Sequence, residues 1–370
     1  MPTRRILFAA HDPGGANVIK PVIEHIADRN DIEMHTILLG PAAERLQCIA
    51  SRAISHTVRS FPTPHFPNEL SAEPQDVAAV FDAVQPSAVF TATSFNSNLE
   101  RLTVRYARER AIPTFAILDF WSRYAHRFTL DDCCVPPDIL FVTDERMQRE
   151  ATAELPTTTI IVSGNPHLAQ LQEHYANARR HLYDSPSPHP PLQRIRFFCE
   201  NIRHYYPDKP VNEFTIIPKL LDKLLHYGFT GELIIRPHPM ESRAPWENAL
   251  VEYNTKTAGR IAILLDTASF HNILQERCIA LGLTSMALLE TVSVGIPTFS
   301  YQIAVPSEYF WLPFEEYGIP RILRDEDILQ IVSCTFQKPQ ATQHSAPSNA
   351  LLMIQQVLEE HLFSPIRSAL

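Results

Sequence analysis

The residues best suited to chemistry follow an apolar run near the start of the 370-residue sequence, in the stretch ILFAAHDPGGANVI. Residues 6–10 predict a strand, and His11 and Asp12 follow it directly. Both are candidate general bases, alone or as a coupled pair, and Gly14 and Gly15 let the backbone approach a ligand closely because they lack a Cβ. In the competing interpretation, Asp12 caps the turn and His11 packs beneath it. A dinucleotide-binding loop is disfavoured, because the Gly-x-Gly-x-x-Gly spacing is absent.

A second group of candidate site residues follows the predicted strand at residues 114–118, in the stretch ILDFWSRYAHRF. Asp119 stands directly after this strand and is the alternative candidate for the general base. Trp121 and Arg127 provide an aromatic face and a cation, a combination that suits a sugar bearing an anionic group. In the competing interpretation, the aromatic side chains belong to the core and the charged side chains are solvated.

Three asparagines complete the candidate substrate-binding residues of the N-terminal half. Asn17 is predicted to be the N-cap of the first helix, while Asn96 follows the predicted strand at residues 88–92 and Asn165 follows the one at residues 159–163. Their amide groups can donate to and accept from substrate hydroxyls. Alternatively, Asn96 only starts the next helix, and Asn165 only marks the end of a domain.

In the C-terminal half, the predicted strand at residues 232–236 ends in the sequence RPHP. Arg236 and His238 can both donate hydrogen bonds to an anionic oxygen. The prolines on either side of His238 restrict the backbone there. The competing interpretation is a rigid turn that carries a surface histidine.

A glycine and two hydroxyl residues precede a predicted helix at residues 285–294, in the stretch GLTSMALLETVSVGIP. Thr284 or Ser285 caps this helix, and the N–H groups of a first helical turn can bind an anion. Glu290 lies about one and a half turns further along, at 3.6 residues per turn. The alternative is an ordinary capped helix with Glu290 on its solvated face.

These last two stretches resemble the donor-binding part of glycosyltransferases of the GT-B type, which have two Rossmann domains, and of the related UDP-N-acetylglucosamine 2-epimerases. The shared features are a Ser or Thr at the helix start, a Glu within the helix and a Gly-x-Pro after it. RPHP also resembles the HP motif of bacterial sialyltransferases, Kdo transferases, polysialyltransferases and CDP-glycerol transferases. The resemblance implies that His238, Thr284 and Ser285 bind the donor phosphate and that Glu290 binds the ribose.

No Asp-x-Asp motif stands in a suitable loop, so we expect neither a metal ion nor a separate cofactor. The nucleotide sugar is then bound as a substrate. Its leaving phosphate is stabilised by Arg236, by His238 and by the helix that starts near Ser285.

Short β-branched runs alternate with amphipathic stretches, which predicts parallel strands with helices on both faces. The expected fold is α/β, with two tandem doubly wound Rossmann-like domains facing a cleft (GT-B). The proline-rich residues 184–192 fit neither a helix nor a central strand and are predicted to form a linker. They separate an N-terminal acceptor domain, residues 1–183, from a C-terminal donor domain, residues 193–345, and a final helix lies in residues 346–370. Strands are predicted at residues 6–10, 33–39, 88–92, 114–118, 139–143, 159–163, 196–199, 232–236, 261–265, 279–281 and 298–301.

Composition and charge argue against several classes of protein. The net charge of −9 disfavours nucleic-acid binding, and the six cysteines form no Cys-x-x-Cys pair, which disfavours a zinc site or a disulfide framework. No apolar run reaches the roughly 20 residues of a membrane span, and the first residues do not resemble a signal peptide. We therefore predict a cytoplasmic protein, in which the aromatic residues 308–318 allow peripheral association with the inner membrane.

From these residues we predict a metal-independent glycosyltransferase of bacterial surface polysaccharide synthesis. It transfers a sugar from a nucleotide donor to a glycan, lipid-linked glycan or glycoconjugate acceptor. A CMP-linked ulosonic acid is the favoured donor, and a UDP-sugar or CDP-glycerol is close behind. Two alternatives remain open: a nucleotide-sugar epimerase or hydrolase of the same fold, and a two-lobed ligand-binding protein without catalytic activity.

Overall fold

The computed structural model describes residues 3–49, 51–63, 70–95, 97–178, 193–239, 241–310, 312–335 and 349–363. The chain divides into two compact units: unit 1 comprises Met1–Gln170 and Ala346–Leu370, and unit 2 comprises Leu171–Ser345. The last helix therefore belongs to unit 1. The predicted linker at residues 184–192 lies outside the described residues, so the domain boundaries on either side of it stay predictions.

Each unit contains one parallel β-sheet, and two short antiparallel strand pairs accompany the first. The strands are β1 (Arg4–Ala10), β2 (Ile32–Leu38), β3 (Ile54–His56), β4 (Ser60–Pro62), β5 (Leu70–Ala72), β6 (Ala88–Thr91), β7 (Thr114–Ile117), β8 (Thr129–Leu130), β9 (Cys133–Cys134), β10 (Ile139–Val142), β11 (Thr159–Val162), β12 (Arg194–Phe198), β13 (Gly231–Arg236), β14 (Ile261–Leu265), β15 (Ile279–Gly282), β16 (Thr298–Tyr301) and β17 (Arg321–Ile322). The helices are α1 (Pro13–Ile26), α2 (Gly40–Arg45), α3 (Pro74–Val84), α4 (Leu99–Glu109), α5 (Glu145–Glu154), α6 (Pro166–Ala178), α7 (Ile202–Tyr205), α8 (Glu213–His226), α9 (Ala244–Thr257), α10 (Phe270–Ile273), α11 (Met286–Ser293), α12 (Ile328–Val332) and α13 (Ala350–Phe363). Every predicted strand is present, with its ends one or two residues at most from the predicted ones.

The first helix begins earlier than predicted. α1 starts at Pro13, whose fixed φ suits the first helical position, and Asp12 is its N-cap residue, although its side chain makes no capping hydrogen bond. Asn17 lies one turn inside α1, where its Oδ1 accepts a hydrogen bond from Arg45 Nη1 at 3.2 Å. The prediction that Asn17 is the N-cap is therefore wrong, because the Pro-Gly-Gly sequence is helical here and not a loop.

The sheet of unit 1 has seven strands in the order β11-β10-β7-β6-β1-β2-β3. Its central strands β6, β7 and β10 are buried along their whole length, so both faces of the sheet are covered there, because alternate side chains of a strand point to opposite sides. Ile6 and Phe8 of β1 pack with α1 and α13. Leu7 and Ala9 of the same strand pack with α3 and α4. This two-sided burial explains why the strands are continuous apolar runs in the sequence.

The sheet of unit 2 has six strands in the order β14-β13-β12-β15-β16-β17. One large apolar cluster joins it to the helices that pack on it, with Leu220 of α8, Trp246 of α9 and Ile328 of α12 among its fully buried members. Parallel strands with helical connections throughout give unit 2 the doubly wound arrangement that the sequence predicts.

In each sheet, the order of strand addition reverses beside the first strand, between β1 and β6 in unit 1 and between β12 and β15 in unit 2. Ligands of such sheets bind outside the carboxyl ends of the strands at this switch point. Functional groups are therefore expected among the residues that follow β1, β6, β12 and β15. In the described part of the chain, no helix is long and apolar enough to cross a membrane.

Candidate functional site

His11 is buried directly after β1, and its hydrogen bonds fix the position of its ring proton. Nε2 accepts the backbone N–H of Leu70 at 3.1 Å, so the proton lies on Nδ1, which donates to Asp12 Oδ1 at 2.6 Å. The side chain is only 1% exposed. Because both ring nitrogens are engaged and solvent is excluded, His11 is placed to orient Asp12 and not to take a proton from a substrate itself.

Asp12 is the more accessible member of this pair. Its Oδ1 accepts from His11, its Oδ2 accepts the backbone N–H of Phe95 at 3.0 Å, and 23% of the side chain is exposed. The two hydrogen bonds fix the carboxylate while leaving part of it open to a substrate hydroxyl. Of the three candidate bases, Asp12 has the best geometry for proton abstraction.

Glu100 is a third acid at this switch point, and the sequence analysis missed it. It lies in the first turn of α4 and is 1% exposed. Its Oε1 accepts the N–H of His11 at 2.9 Å, and its Oε2 accepts the hydroxyl of Ser94 at 2.7 Å. Burial and the nearby charge of Asp12 raise the pKa of Glu100. Acids are common in the first turn of any helix, so the sequence held no signal for this role.

Asp119 follows β7 and is 8% exposed. Its Oδ1 lies 3.5 Å from Nη1 of the buried Arg127, and burial raises the pKa of Asp119. A Cβ on Gly14 would overlap Asp119 Oδ2, so the first turn of α1 approaches this carboxyl closely because residue 14 is glycine. A Cβ on Gly15 would lie 2.7 Å from the Cβ of Ala92, in the segment after β6, so Gly15 also packs closely. The structure thus brings six of the predicted residues together: His11, Asp12, Gly14, Gly15, Asp119 and Arg127.

The other predicted residues of unit 1 are placed differently. Trp121 is 2% exposed, and its Nε1 donates to Asp144 Oδ2 at 2.8 Å, so the ring is part of the core. Asn165 is 1% exposed, and its Oδ1 accepts the N–H of Leu168 at 3.1 Å at the start of α6. Asn96 lies outside the described residues.

In unit 2, the hydroxyl residues are at the start of α11. Ser285 is the N-cap, and its Oγ accepts the N–H of Ala287 at 3.3 Å. Thr284 Oγ1 accepts the N–H of Leu312 at 3.4 Å. Glu290 lies within α11 and is 9% exposed. The hydroxyls of Thr284 and Ser285 lie at one edge of the sheet, but each already accepts a backbone N–H that stabilises the local fold.

Glu200 occupies the N–H groups in front of α11. It follows β12, and its Oε1 accepts the N–H of Leu283 at 3.1 Å and that of Thr284 at 2.5 Å. Burial, together with repulsion from Glu213, raises the pKa of Glu200 to about 8. The sequence analysis missed Glu200, although an acid near the end of a predicted strand is the same signal that identified Asp119.

The RPHP segment after β13 is tied to its surroundings. Nη1 of Arg236 lies 3.1 Å from Asp266 Oδ2 and donates to the carbonyl of Ala268 at 2.9 Å. The backbone N–H of His238 donates to Glu241 Oε2 at 2.9 Å. Arg236 is therefore paired with Asp266. Glu241 fixes the turn at His238 through the backbone N–H of that residue.

A cavity of about 520 Å³ lies between the loops that follow β12 and β13. Arg203, His204, Lys209 and Glu241 contribute ionisable groups to its lining, and Lys209 pairs with Glu308 at 3.2 Å. The guanidinium of Arg203 lies 4.2 Å from the centre of the Phe214 ring and forms no ion pair with a described residue. The volume is that of an ordinary small-molecule site. The sequence analysis missed these cations because they belong to no motif.

The two switch points therefore differ in their chemistry. Unit 1 gathers the carboxyl groups of Asp12, Glu100 and Asp119, which suits proton transfer. Unit 2 combines the cations of Arg203 and Lys209 and the hydroxyls before α11 with the carboxyl groups of Glu200 and Glu241, so an anion has to bind at the cations. Within the described ranges, no group of three or more His, Cys, Asp or Glu side chains has an arrangement that could hold a metal ion.

No protein-family model and no curated protein sequence matches the chain, whereas many solved structures match it in fold. The UDP-GlcNAc 2-epimerase of Methanocaldococcus jannaschii is 12% identical, with a TM-score of 0.66 over 96% of this chain and 99% of that chain. The UDP-GlcNAc 2-epimerase of Neisseria meningitidis, bound to UDP-GlcNAc, is 13% identical, with a TM-score of 0.62 over 96% and 100%. A UDP-glucosyltransferase of Polygonum tinctorium is 12% identical, with a TM-score of 0.57 over 99% of both chains.

These matches and the two parallel sheets confirm the predicted α/β fold with two tandem doubly wound Rossmann-like domains of the GT-B type. The narrower resemblance to sialyltransferases, Kdo transferases and CDP-glycerol transferases stays a prediction. At this level of identity the matches speak for the fold, and the activity has to be argued from the residues.

Proposed function

We propose that the protein is a glycosyltransferase that takes its sugar from a nucleotide donor, with the nucleotide bound to unit 2 and the acceptor hydroxyl activated in unit 1. The observation that carries this proposal is the cavity beside Arg203 at the carboxyl edge of a doubly wound sheet, because Arg203, His204 and Lys209 line it together with one carboxyl group, that of Glu241. Enzymes that act on UDP-sugars are among the solved structures of this fold.

In this proposal the donor phosphate binds to Arg203 and Lys209, with the hydroxyl of Ser285 as an additional donor, and Glu290 binds the ribose. Arg203 suits this role because stacking on Phe214 holds its guanidinium in place before a ligand arrives. These groups supply the charge that stabilises the leaving phosphate, so the reaction uses no metal ion and no further cofactor. Glu241 accepts the backbone N–H of His238, and Arg236 is held by Asp266.

The acceptor hydroxyl loses its proton to Asp12, and His11 is a positioning residue that holds the carboxylate through Nδ1. Asp119 is less suited to this step, because it is buried and lies against Arg127. The acceptor class proposed is a glycan, a lipid-linked glycan or a glycoconjugate. Peripheral membrane association belongs to the same proposal.

An epimerase or hydrolase is the second candidate, and the unit 1 carboxyls favour it. The charge of Asp12 helps to raise the pKa of Glu100 and that of Asp119, so all three carboxyl groups lie near one another. One of them can remove a proton from a sugar carbon and another can return it. Product analysis without an acceptor separates the two candidates. A transferase leaves the nucleotide sugar intact under these conditions, whereas an epimerase isomerises the sugar and a hydrolase releases it.

The nucleotide is tested by thermal unfolding of the full chain with CMP, CDP, UDP, GDP, ADP and NAD, in the wild type and in Arg203→Gln. A nucleotide at 100 times its Kd adds about 2.7 kcal/mol to the free energy of unfolding. We expect one pyrimidine nucleotide to stabilise the wild type strongly and the variant weakly, and that nucleotide identifies the donor class.

Lys256→Gln is the matched control, because Lys256 pairs with Asp222 at 2.7 Å, away from the cavity, and its loss removes the same charge. Equal stabilisation of the wild type, Arg203→Gln and Lys256→Gln would show that the nucleotide binds outside the cavity. Stabilisation by none of the six compounds, or by NAD alone, would refute the proposed function.

A further inference from the structure

Three buried polar side chains at successive strand ends of unit 1 have an atom that forms no hydrogen bond with any described residue. They are Asp119 through Oδ1, Thr143 through Oγ1 and Asn165 through Nδ2. The three residues are 8%, 6% and 1% exposed. They follow β7, β10 and β11, which are neighbours in the sheet. Asp119 Oδ1 has the ion-pair contact with Arg127 Nη1 at 3.5 Å, whereas Thr143 Oγ1 and Asn165 Nδ2 have no polar partner among the described residues.

Asp119 and Thr143 lie on the same face of the sheet. Phe115 and Ile117 of β7, and Phe141 of β10, face α1, as their shared apolar cluster shows. Side chains two residues apart in a strand point to the same side, so Asp119 and Thr143 continue these two rows at the strand ends. The close approach of Asp119 to Gly14 in the first turn of α1 agrees with this. Asn165 follows the next strand, after the turn at Gly164.

A buried polar atom without a partner costs about 1–3 kcal/mol, so each such atom in a native protein calls for a cause. Three at neighbouring strand ends, on the edge where doubly wound sheets bind ligands, share one explanation: a polar ligand completes their hydrogen bonds.

We propose that Asp119, Thr143 and Asn165 form a subsite for the hydroxyl groups of a neutral sugar, an inference that rests on the proposed function and specifies the class of molecule unit 1 receives. Asp119 Oδ1 accepts, Asn165 Nδ2 donates, and the Thr143 hydroxyl does either. A sugar hydroxyl both donates and accepts, so the hydroxyl groups of a sugar match the hydrogen-bonding needs of all three side chains. A phosphate or carboxylate group only accepts, so it cannot donate to Asp119 Oδ1.

Two variants of nearly unchanged shape test the subsite. Thr143→Val removes the hydroxyl. Asn165→Asp replaces the Nδ2 donor by an acceptor and keeps the Oδ1 that accepts the N–H of Leu168. Thr91→Val is the control, because the Thr91 hydroxyl is also buried and without a partner among the described residues. Thr91 belongs to β6 and shares its face with Val89, which packs on the opposite side of the sheet.

Binding of glucose, galactose and N-acetylglucosamine to the full chain is measured by saturation-transfer NMR, and melting temperature is measured in parallel. We expect at least one sugar to bind the wild type. Its affinity falls about five- to tenfold in Thr143→Val and in Asn165→Asp, as the loss of one hydrogen bond predicts, and is unchanged in Thr91→Val. We expect Thr143→Val to keep the wild-type melting temperature. If Asn165→Asp does not fold, the affinity of Thr143→Val alone tests the proposal.

Unchanged affinity in Thr143→Val, or loss of stability in this variant without loss of affinity, overturns the proposal, because the hydroxyl is then structural. Absence of sugar binding to the wild type also overturns it, and if UDP or CMP still binds, the proposed function survives. Sugar binding with the expected losses, but without binding of any nucleotide, supports the subsite and refutes the proposed function instead.

Discussion

We predict that Glu200→Gln stabilises unit 2 at alkaline pH and leaves it unchanged at acid pH. Burial and Glu213 raise the pKa of Glu200 to about 8 from its ordinary 4.5. Between these pH values the folded state holds a proton that the unfolded state has lost, so the free energy of unfolding falls as the pH rises, and it levels off above about pH 8. Glutamine has no such proton, and its amide oxygen still accepts the N–H groups of Leu283 and Thr284.

The size of the effect follows from the same pKa change. Each pH unit between the unfolded and folded pKa values is worth about 1.4 kcal/mol, which gives an upper limit of about 5 kcal/mol for Glu200. The carboxyl is half-buried, and contact with solvent reduces the penalty for its charged form. We therefore expect a difference of about 2 kcal/mol between variant and wild type at pH 9, and none at pH 4.

The assay is urea unfolding at a series of pH values from 4 to 9, with the wild type, Glu200→Gln and the control Glu247→Gln. Glu247 carries the same charge on α9 but has a side chain that is 62% exposed, so its replacement should not change the pH dependence. Amide hydrogen exchange at Leu283 and Thr284 reports the same event locally. Parallel stability curves for the wild type and Glu200→Gln would refute the reasoning, because Glu200 would then titrate alike in the folded and unfolded states.

Three further predictions concern the candidate site and the core. Asp12→Asn is expected to lower turnover by about 10²- to 10⁴-fold with nucleotide affinity unchanged in a separate binding measurement; undiminished turnover would move the base to Asp119. Gly14→Ala is expected to cost about 1–3 kcal/mol in denaturant unfolding, because the new Cβ overlaps Asp119 Oδ2, and wild-type stability would show that this carboxyl moves aside freely. Arg196→Met is expected to lower the free energy of unfolding by about 3–5 kcal/mol, because it leaves the buried charge of Asp266, 2.9 Å from Arg196 Nη1, without its closest partner. A smaller loss in the double variant Arg196→Met, Asp266→Asn than in Arg196→Met alone would confirm this cause.

The central strands were predictable because a strand buried on both faces is a continuous apolar run, as in β10, where all four residues are buried. Elements with little burial were not predictable. β3 has three residues, of which two are exposed, and α5 is a polar helix in which Met147 and Ala151 are the buried residues. The start of α1 was misplaced because Pro13 followed by two glycines is typical of a loop in most contexts.

The site was predictable where a residue directly follows a strand, as for Asp12 and Asp119, because the carboxyl ends of parallel strands share one edge. Glu100 lies in α4 and Arg203 in the short helix α7, and tertiary packing alone decides where these side chains point. Trp121 shows the opposite case: an aromatic residue beside charged ones is equally typical of a binding face and of a core, and the hydrogen bond to Asp144 places it in the core.

The two switch points share an arrangement that bears on how an anion can bind. In unit 1, Glu100 accepts the N–H of His11 after β1; in unit 2, Glu200 accepts the N–H groups of Leu283 and Thr284 after β15. In doubly wound folds these backbone groups commonly receive a phosphate, but here the carboxyl groups of the chain already use them. A phosphate that binds to unit 2 must therefore obtain its positive charge from side chains, and Arg203, held on Phe214 without a carboxylate partner among the described residues, is the cation that the structure offers for it.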